Sequence, residues 1–249
     1  MKILLIGDSC KDIYHYGECN RINPEAPVPI LEEDSFEVKQ GMSSNVYANL
    51  KSLGVNTHHL KNKEEIEKHR LINLTYRQQL FRYDVGEKEI LPLDIGSLKK
   101  GYDIIVISDY DKGFITPDIA KYICKLYKDI PIFVDTKKKD LRCYNNCFIK
   151  INNIEYKLLE NFNKNCELIV TLGGDGAIYK NQIFKTKKVE VYDVCGAGDV
   201  FLAALVYSYS KNKNIKTAIH IANKFASYTV TKLGSYVLTK DDINNILEI

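Results

Sequence analysis

The stretch Asp193-Val-Cys-Gly-Ala-Gly-Asp199 runs directly into Val200-Phe-Leu-Ala-Ala-Leu-Val-Tyr207, eight apolar residues without a charge. Two glycines and an alanine leave the backbone bare where a helix begins, and the first N–H groups of a helix lack internal acceptors. With the helix dipole, those amides form a place for an anion. A carboxylate at the same place, Asp199, would repel a phosphate. Its presence makes chemical sense if it takes a proton from a nucleophile attacking that phosphate. The plainer reading is a glycine-rich turn with Asp199 as a favourable first-turn charge.

Outward from this stretch, strands alternate with helices. The apolar helix spans Ala197–Ser210, a second covers Asn214–Lys232, and a last one starts at Asp241. Upstream come strands at Asp103–Ile107, Pro131–Val134, Cys147–Ile151 and Glu167–Thr171, with helices at Pro117–Tyr127 and Asn153–Asn161, then a hairpin near 177–191. This alternation predicts an α/β fold with a doubly wound, mostly parallel sheet. Lys2–Gly7 supplies its first strand, and Ser43–Leu53 a helix with Ser43 or Ser44 as N-cap and Gly54 as stop. Residues 13–40 differ. They read as short β segments, Tyr14–Gly17, Val28–Leu31 and Phe36–Lys39, broken by Asn23-Pro24 and Pro27. A further pair is expected at Arg70–Leu74 and Gln78–Tyr83. These segments, from about 13–40 and 70–84, are expected to form a small β-sheet lid on one domain spanning 1–249.

Composition excludes several classes. No apolar run approaches the ~20 residues of a membrane span, and Met1–Ile6 reaches Gly7-Asp8 too early for a secretory signal. A formal charge of +3 with dispersed lysines gives no footprint for nucleic acid. Seven cysteines, without a CxxC pair or a Cys/His cluster at zinc spacing, predict reduced thiols and a cytoplasmic location. Standard nucleotide motifs also fail. Asp199-Val200 stands where a P-loop needs Lys-Ser/Thr, Gly7 has no partner glycines, and Gly196-x-Gly198 meets Phe201 where a dinucleotide fingerprint needs a third glycine.

Asp193-x-x-Gly-Ala-Gly-Asp199 resembles the C-terminal signature of the ribokinase-like (PfkB) carbohydrate kinases. Within them the chain is most similar to the D-glycero-D-manno-heptose 7-phosphate kinase domain of bifunctional ADP-heptose synthesis proteins. Gly7-Asp8-x3-Asp12-x4-Gly17, followed by Arg21-Ile-Asn-Pro-Glu-Ala-Pro-Val-Pro29, matches that subgroup. So do Gln78-Gln-Leu-Phe-Arg82-x-Asp84, Ser108-Asp-Tyr-x-Lys-Gly113 and Asp135-x-Lys137, while Thr171-Leu-Gly-x-x-Gly176 and Ala222-Asn223 are shared with the wider family.

The resemblance implies an ATP-dependent sugar kinase using Mg²⁺. It casts Asp199 as the general base toward the acceptor hydroxyl, with the Gly196, Ala197 and Gly198 amides holding the phosphoryl group. Asn152-x-x-Glu155 would organise Mg²⁺ through water; read alone, it is an N-cap Asn with a helical Glu. Thr171, Gly173, Gly176 and Asp193 fall on the ATP side, and Asn223 by the adenine. Asp12, Arg21, Gly41, Asn45 and Lys137 fall on the sugar-phosphate side, although Arg21 and Lys137 taken singly read as surface charges. Relatives pair their lids, which implies a homodimer. The alternatives are a kinase for another sugar, sugar phosphate or nucleoside, and a non-catalytic nucleotide- or sugar-binding protein on the same scaffold.

Three departures stand out. Gly41-Met42 replaces the family's Gly-Gly, and Cys195 replaces a Thr in the anion loop. A thiol near a helix N-terminus is expected to have a lowered pKa, to be alkylated with loss of activity, and to be protected by ATP. The chain is also shorter than its relatives after Gly54 and between Glu155 and Glu167.

Overall fold

The computed structural model describes residues 1–88 and 90–248. β1 (Lys2–Gly7) leads through Asp8 into β2 (Ser9–Ile22), which turns into β3 (Pro29–Met42) and returns directly to α1 (Ser43–Ser52). There follow β4 (Asn56–Lys61), β5 (Glu67–Asn73), β6 (Gln78–Val85), β7 (Ile104–Asp109), α2 (Pro117–Leu126), β8 (Ile132–Thr136) and the two-residue β9 (Asp140–Leu141). The second half comprises β10 (Phe148–Asn152), α3 (Asn153–Lys157), β11 (Asn161–Phe162), β12 (Glu167–Thr171), β13 (Ala177–Tyr179), β14 (Gln182–Phe184), α4 (Ala197–Asn212), α5 (Ile215–Thr229) and α6 (Lys240–Glu248).

Eight strands form the main sheet in the order β14-β13-β12-β10-β8-β7-β1-β4. From β12 to β4 the pairing is parallel, and β13 and β14 turn back antiparallel. The inner strands are near-continuous Ile, Leu and Val because both of their faces are buried. One face carries Ile3, Leu5, Val106, Phe133 and Ile169 against the buried stripes of α1, α4 and α5. The other face, with Leu4, Ile6, Ile105, Ile107 and Val134, packs on α2 and on chain bearing Phe114, Leu141 and Tyr144. That second layer is thin. β8 passes to β10 with only β9 between them, and the five-residue α3 replaces the expected helix Asn153–Asn161.

The lid is a four-stranded sheet ordered β3-β2-β5-β6. β2 pairs antiparallel with β3 and parallel with β5, and β5 pairs antiparallel with β6. Two 14-residue strands stand in place of the three short segments expected. Asn23-Pro24 and Pro27 mark only the turn between them, Pro29 opens β3, and irregularities near Gly17 and Arg21 absorb the uneven alternation. β4 lies outside the expected strands. Asn-Thr-His-His-Leu-Lys carries no apolar run because it is an edge strand paired to β1 alone. α1 also differs at its start: Met42 is the cap residue, and Ser43 and Ser44 lie buried inside the helix. Ser43 Oγ donates to the Gly7 carbonyl at 3.1 Å, which ties α1 to the end of β1. The lid thus leaves the sheet at the C-terminal end of β1 and re-enters at α1. Its inner face overhangs the strand ends, where α/β sheets bind their ligands.

Candidate active site

The glycines of the anion loop are demanded by space. Gly196 caps α4 with φ +74°, and a Cβ there would lie 2.6 Å from Asn45 Nδ2 and 3.2 Å from the Ser235 backbone. A Cβ on Gly198 would lie 2.8 Å from Lys150 Nζ. Among the described residues, no side chain caps this helix start. Asp193 braces the loop from below: one carboxylate oxygen accepts from Cys195 N and the other from Gly234 N, each at 2.9 Å. Both oxygens are engaged in loop structure.

Asp199 follows in the first turn of α4, 4% exposed. Tyr110 Oη donates to its Oδ1 at 2.7 Å, and Asn45 Nδ2 donates to Oδ2 at 3.1 Å. Burial pushes its carboxyl up to about 6, with Asp135 adding to the rise and Tyr110, Asn45 and Lys150 opposing it. A carboxylate with that pKa is ionised at neutral pH yet basic enough to accept a proton. Asn45 is itself fixed, since its Oδ1 accepts from Asn49 Nδ2 at 3.0 Å.

On one side of the loop opens a cleft of about 380 Å³. Ala197 and Gly198 form its inner end, and Val189, Val191, Phe201 and Val230 give it apolar walls. Thr171, Gly173, Gly176 and Asn223 all line it. Gly176 has φ +94°, and a Cβ there would collide with the Phe184 carbonyl, so the turn after β12 requires glycine. Asn223 is buried, and its amide donates to the Phe184 carbonyl at 2.7 Å, so it clamps β14 along the cleft wall. An apolar slot ending at a helix start without a side-chain cap suits a nucleotide whose phosphates reach that start, where the Ala197 N–H donates to the Val194 carbonyl at 3.3 Å.

On the other side the lid closes. Asp12 is buried on β2, where Arg70 Nη2 donates to its Oδ1 at 3.0 Å and Ser235 Oγ donates to its Oδ2 at 3.1 Å. Gly41 lies against the Asp12 carboxylate and the Cys10 sulfur, leaving no room for a side chain. The ammonium groups of Lys68 and Lys137 lie 5.6 and 5.4 Å from the centre of the Tyr110 ring. Lys137 also pairs with Glu155. Burial alone would lower Lys137, but Asp135 and Glu155 hold its pKa above the usual value. Arg21 stands apart from this group. Its side chain is exposed on the outer stretch of β2 and donates to Glu32 at 3.1 Å.

Asn152 and Glu155 form a reciprocal capping box on α3: Asn152 Oδ1 accepts from Glu155 N at 2.8 Å, and Glu155 Oε2 from Asn152 N at 2.7 Å. Glu155 Oε1 accepts from Asn152 Nδ2 and Lys137. No group of three or more acidic, His or Cys side chains able to hold a metal occurs among the described residues. A carboxylate so engaged suits a hydrated Mg²⁺ brought on a triphosphate and steadied through water.

Sequence reasoning passes over Lys68, Tyr110, Arg70, Ser235 and Lys150. Tyr110 lies inside Ser108-Asp-Tyr-x-Lys-Gly113 and Arg70 only opens an expected strand, and it is the fold that turns them toward Asp199 and Asp12. Ser235 carries no motif, and Lys150 reads as one polar interruption in a strand. The expectation for Cys195 is overturned: burial outweighs the opposing effect of Arg70 and pushes its thiol up to about 11. Its inward position outweighs the helix dipole.

Residues 150–241 match the pfkB family carbohydrate kinase profile. The bifunctional protein HldE of Campylobacter jejuni strain RM1221 is 32% identical over 297 aligned positions, covering 98% of this chain and 64% of the relative. That of a Nitratiruptor species is also 32% identical, with 97% and 64% covered. The chain therefore spans about two thirds of these relatives' length. The alignments run longer than its 249 residues, so the relatives carry stretches it lacks. Ribokinase from Thermotoga maritima superposes with a TM-score of 0.74 at 17% identity over 99% of both chains. Phosphofructokinase-2 from Escherichia coli gives 0.77 at 15% identity, over 99% of this chain and 97% of the other. With this fold and the anion loop inside the matched segment, the chain is similar to the pfkB family carbohydrate kinases.

Proposed function

We propose that the chain is an ATP-dependent sugar kinase that phosphorylates the 1-hydroxyl of D-glycero-D-manno-heptose 7-phosphate. The observation that carries the kinase reading is the buried Asp199 carboxylate, set between an apolar cleft ending at the start of α4 and a lid bearing Asp12 and Arg70. In this reading Asp199 takes the proton of the acceptor hydroxyl as its oxygen attacks the γ-phosphorus in line, and ADP leaves. The Gly196, Ala197 and Gly198 amides hold the phosphoryl oxygens as their charge spreads. Asn152 and Glu155 would hold Mg²⁺ through water, and the ion would offset the charge of the ATP phosphates.

The heptose assignment is supported by the resemblance of Arg21–Pro29 and Asp135-x-Lys137 to that kinase subgroup. The cationic groups of Arg70, Lys68 and Lys137 fit an acceptor that already carries a phosphate. A second copy of the chain against the outer lid face belongs to the same reading, and no helix of the described residues is long and apolar enough to cross a membrane.

The test is Mg²⁺-dependent ADP release with a panel of sugars and sugar phosphates, and Asp199→Asn as control. Turnover with heptose 7-phosphate and none with the variant is expected. A different preferred acceptor would overturn the substrate, and nucleotide binding without turnover on any acceptor would overturn the kinase.

A further inference from the structure

Strand β10 places Ile149 and Ile151 in one core, so Lys150 points to the opposite face, toward α4, where its neighbour Phe148 stacks on Phe133. The alternation calls for an apolar side chain at this position, yet Lys150 is 3% exposed. It does not stand alone. Ser108 on β7, Asp135 on β8 and Lys150 on β10 are register neighbours at the C-terminal ends of three adjacent strands. All three are buried, and Lys150 Nζ and Asp135 Oδ2 lie beside Gly198 at the start of α4.

This polar row is incompletely satisfied. Lys150 Nζ donates to Asp135 Oδ2 at 2.7 Å, and that is its one hydrogen bond among the described residues. Asp135 Oδ1 and Ser108 Oγ are buried with no partner among the described residues. A buried ion pair kept for stability needs its remaining protons and lone pairs satisfied, and without that an apolar pair serves better. The group next to the ammonium is the bare backbone of Gly198, in the anion loop itself.

We propose that Lys150 is a further catalytic residue of the kinase: its ammonium, oriented by Asp135, meets the transferring phosphoryl group at the Gly198 end of the anion loop. This rests on the kinase reading above. The loop amides supply partial charges, whereas a phosphoryl group in flight spreads a full negative charge over its oxygens. A fixed ammonium with two free N–H donors supplies the missing countercharge in a site already shielded from water. Lys150 also favours the ionised form of Asp199, the form able to take a proton.

The experiment compares calorimetric binding of Mg·ADP and of the imido analogue of Mg·ATP to wild type, Lys150→Met and Lys150→Met/Asp135→Asn. Removing a contact made only to the third phosphate should leave ADP affinity within about twofold while lowering analogue affinity roughly tenfold, with a fall in kcat on the order of 100-fold. The double variant removes both buried charges and so guards against a single variant that fails to fold. It should not recover the analogue affinity, and Lys150→Arg should recover part of it. Equal affinities for the analogue in wild type and Lys150→Met, or full recovery in the double variant, would show a merely structural pair and overturn the proposal. If wild type transfers phosphate to no acceptor, the kinase reading fails separately, and the ratio of analogue to ADP affinity still decides whether Lys150 meets the third phosphate.

Discussion

Tyr110 Oη donates a hydrogen bond to Asp199 Oδ1 at 2.7 Å, from the loop after β7 to the first turn of α4. The bond favours the ionised carboxylate, opposing the burial that raises Asp199 to about 6. Tyr110→Phe removes the donor and leaves the ring in place. The Asp199 pKa then rises by about one unit, the scale of one hydrogen bond to a charged group. Because the proposed base works when ionised, the acidic limb of kcat/KM should move from near pH 6 toward pH 7. Activity at pH 8 should be nearly retained. A pH–rate profile whose acidic limb stays in place would refute this role.

Asp199→Asn should separate catalysis from stability. Losing a general base costs on the order of 10²–10⁴ in kcat. Stability should move the other way. The folded pKa is raised above the ordinary 3.8, so the contribution of Asp199 is fully present below about pH 4 and is lost as pH rises through 6. At pH 8 the buried ionised carboxylate costs up to about 3 kcal/mol relative to low pH. Asparagine carries no such penalty, so urea melts should find the variant more stable at pH 8 and the gain shrinking toward pH 4. Equal stability at pH 8 would contradict the burial argument.

How far the sequence carries can be judged on such residues. Apolar strand ends, the Gly196–Gly198 loop and the α4 stripe follow from local chemistry, so the sheet and the anion loop were legible. β4 was not, because an edge strand needs no apolar pattern, and the lid was legible only in fragments because the first half of β2 is buried while its outer end is exposed. Asp12 stands out in its string, but its partner Arg70 lies 58 residues away and meets it only through parallel pairing of β2 with β5. Cys195 misleads for a related reason: a motif gives its distance from a helix end but not its burial.

Met42 takes φ +56° and ψ −134°, a conformation in which glycine is at home and a side chain is strained. Its side chain is nevertheless buried in the core beside α2. The two effects oppose each other, since backbone strain costs roughly 1–3 kcal/mol and burying a Met side chain contributes about 1.5–3 kcal/mol. Comparing truncations isolates the backbone. Met42→Ala keeps the strain and loses the side chain, whereas Met42→Gly loses both. The Gly variant should therefore be the more stable of the two by about 1 kcal/mol, reversing the usual order. Thermal melts showing Ala above Gly would place the strain elsewhere.

The lid has two chemically distinct faces. Tyr14 and Arg70 face inward with Asp12, and the register of β2, β3, β5 and β6 puts Phe36, Val38, Phe81, Tyr83 and Val85 together on the opposite face. Phe36 and Phe81 are 63% and 60% exposed. A contiguous aromatic and aliphatic patch of this kind on a sheet is stabilised by an apolar partner, and a second lid offers a self-complementary one. Sedimentation should therefore find a dimer for the unmodified chain. Phe36→Lys/Phe81→Lys, which puts like charges on the patch and leaves the inner face untouched, should give a folded monomer with an unchanged melting curve at high dilution. A dimer that persists in this variant would mean that the subunits meet through another surface.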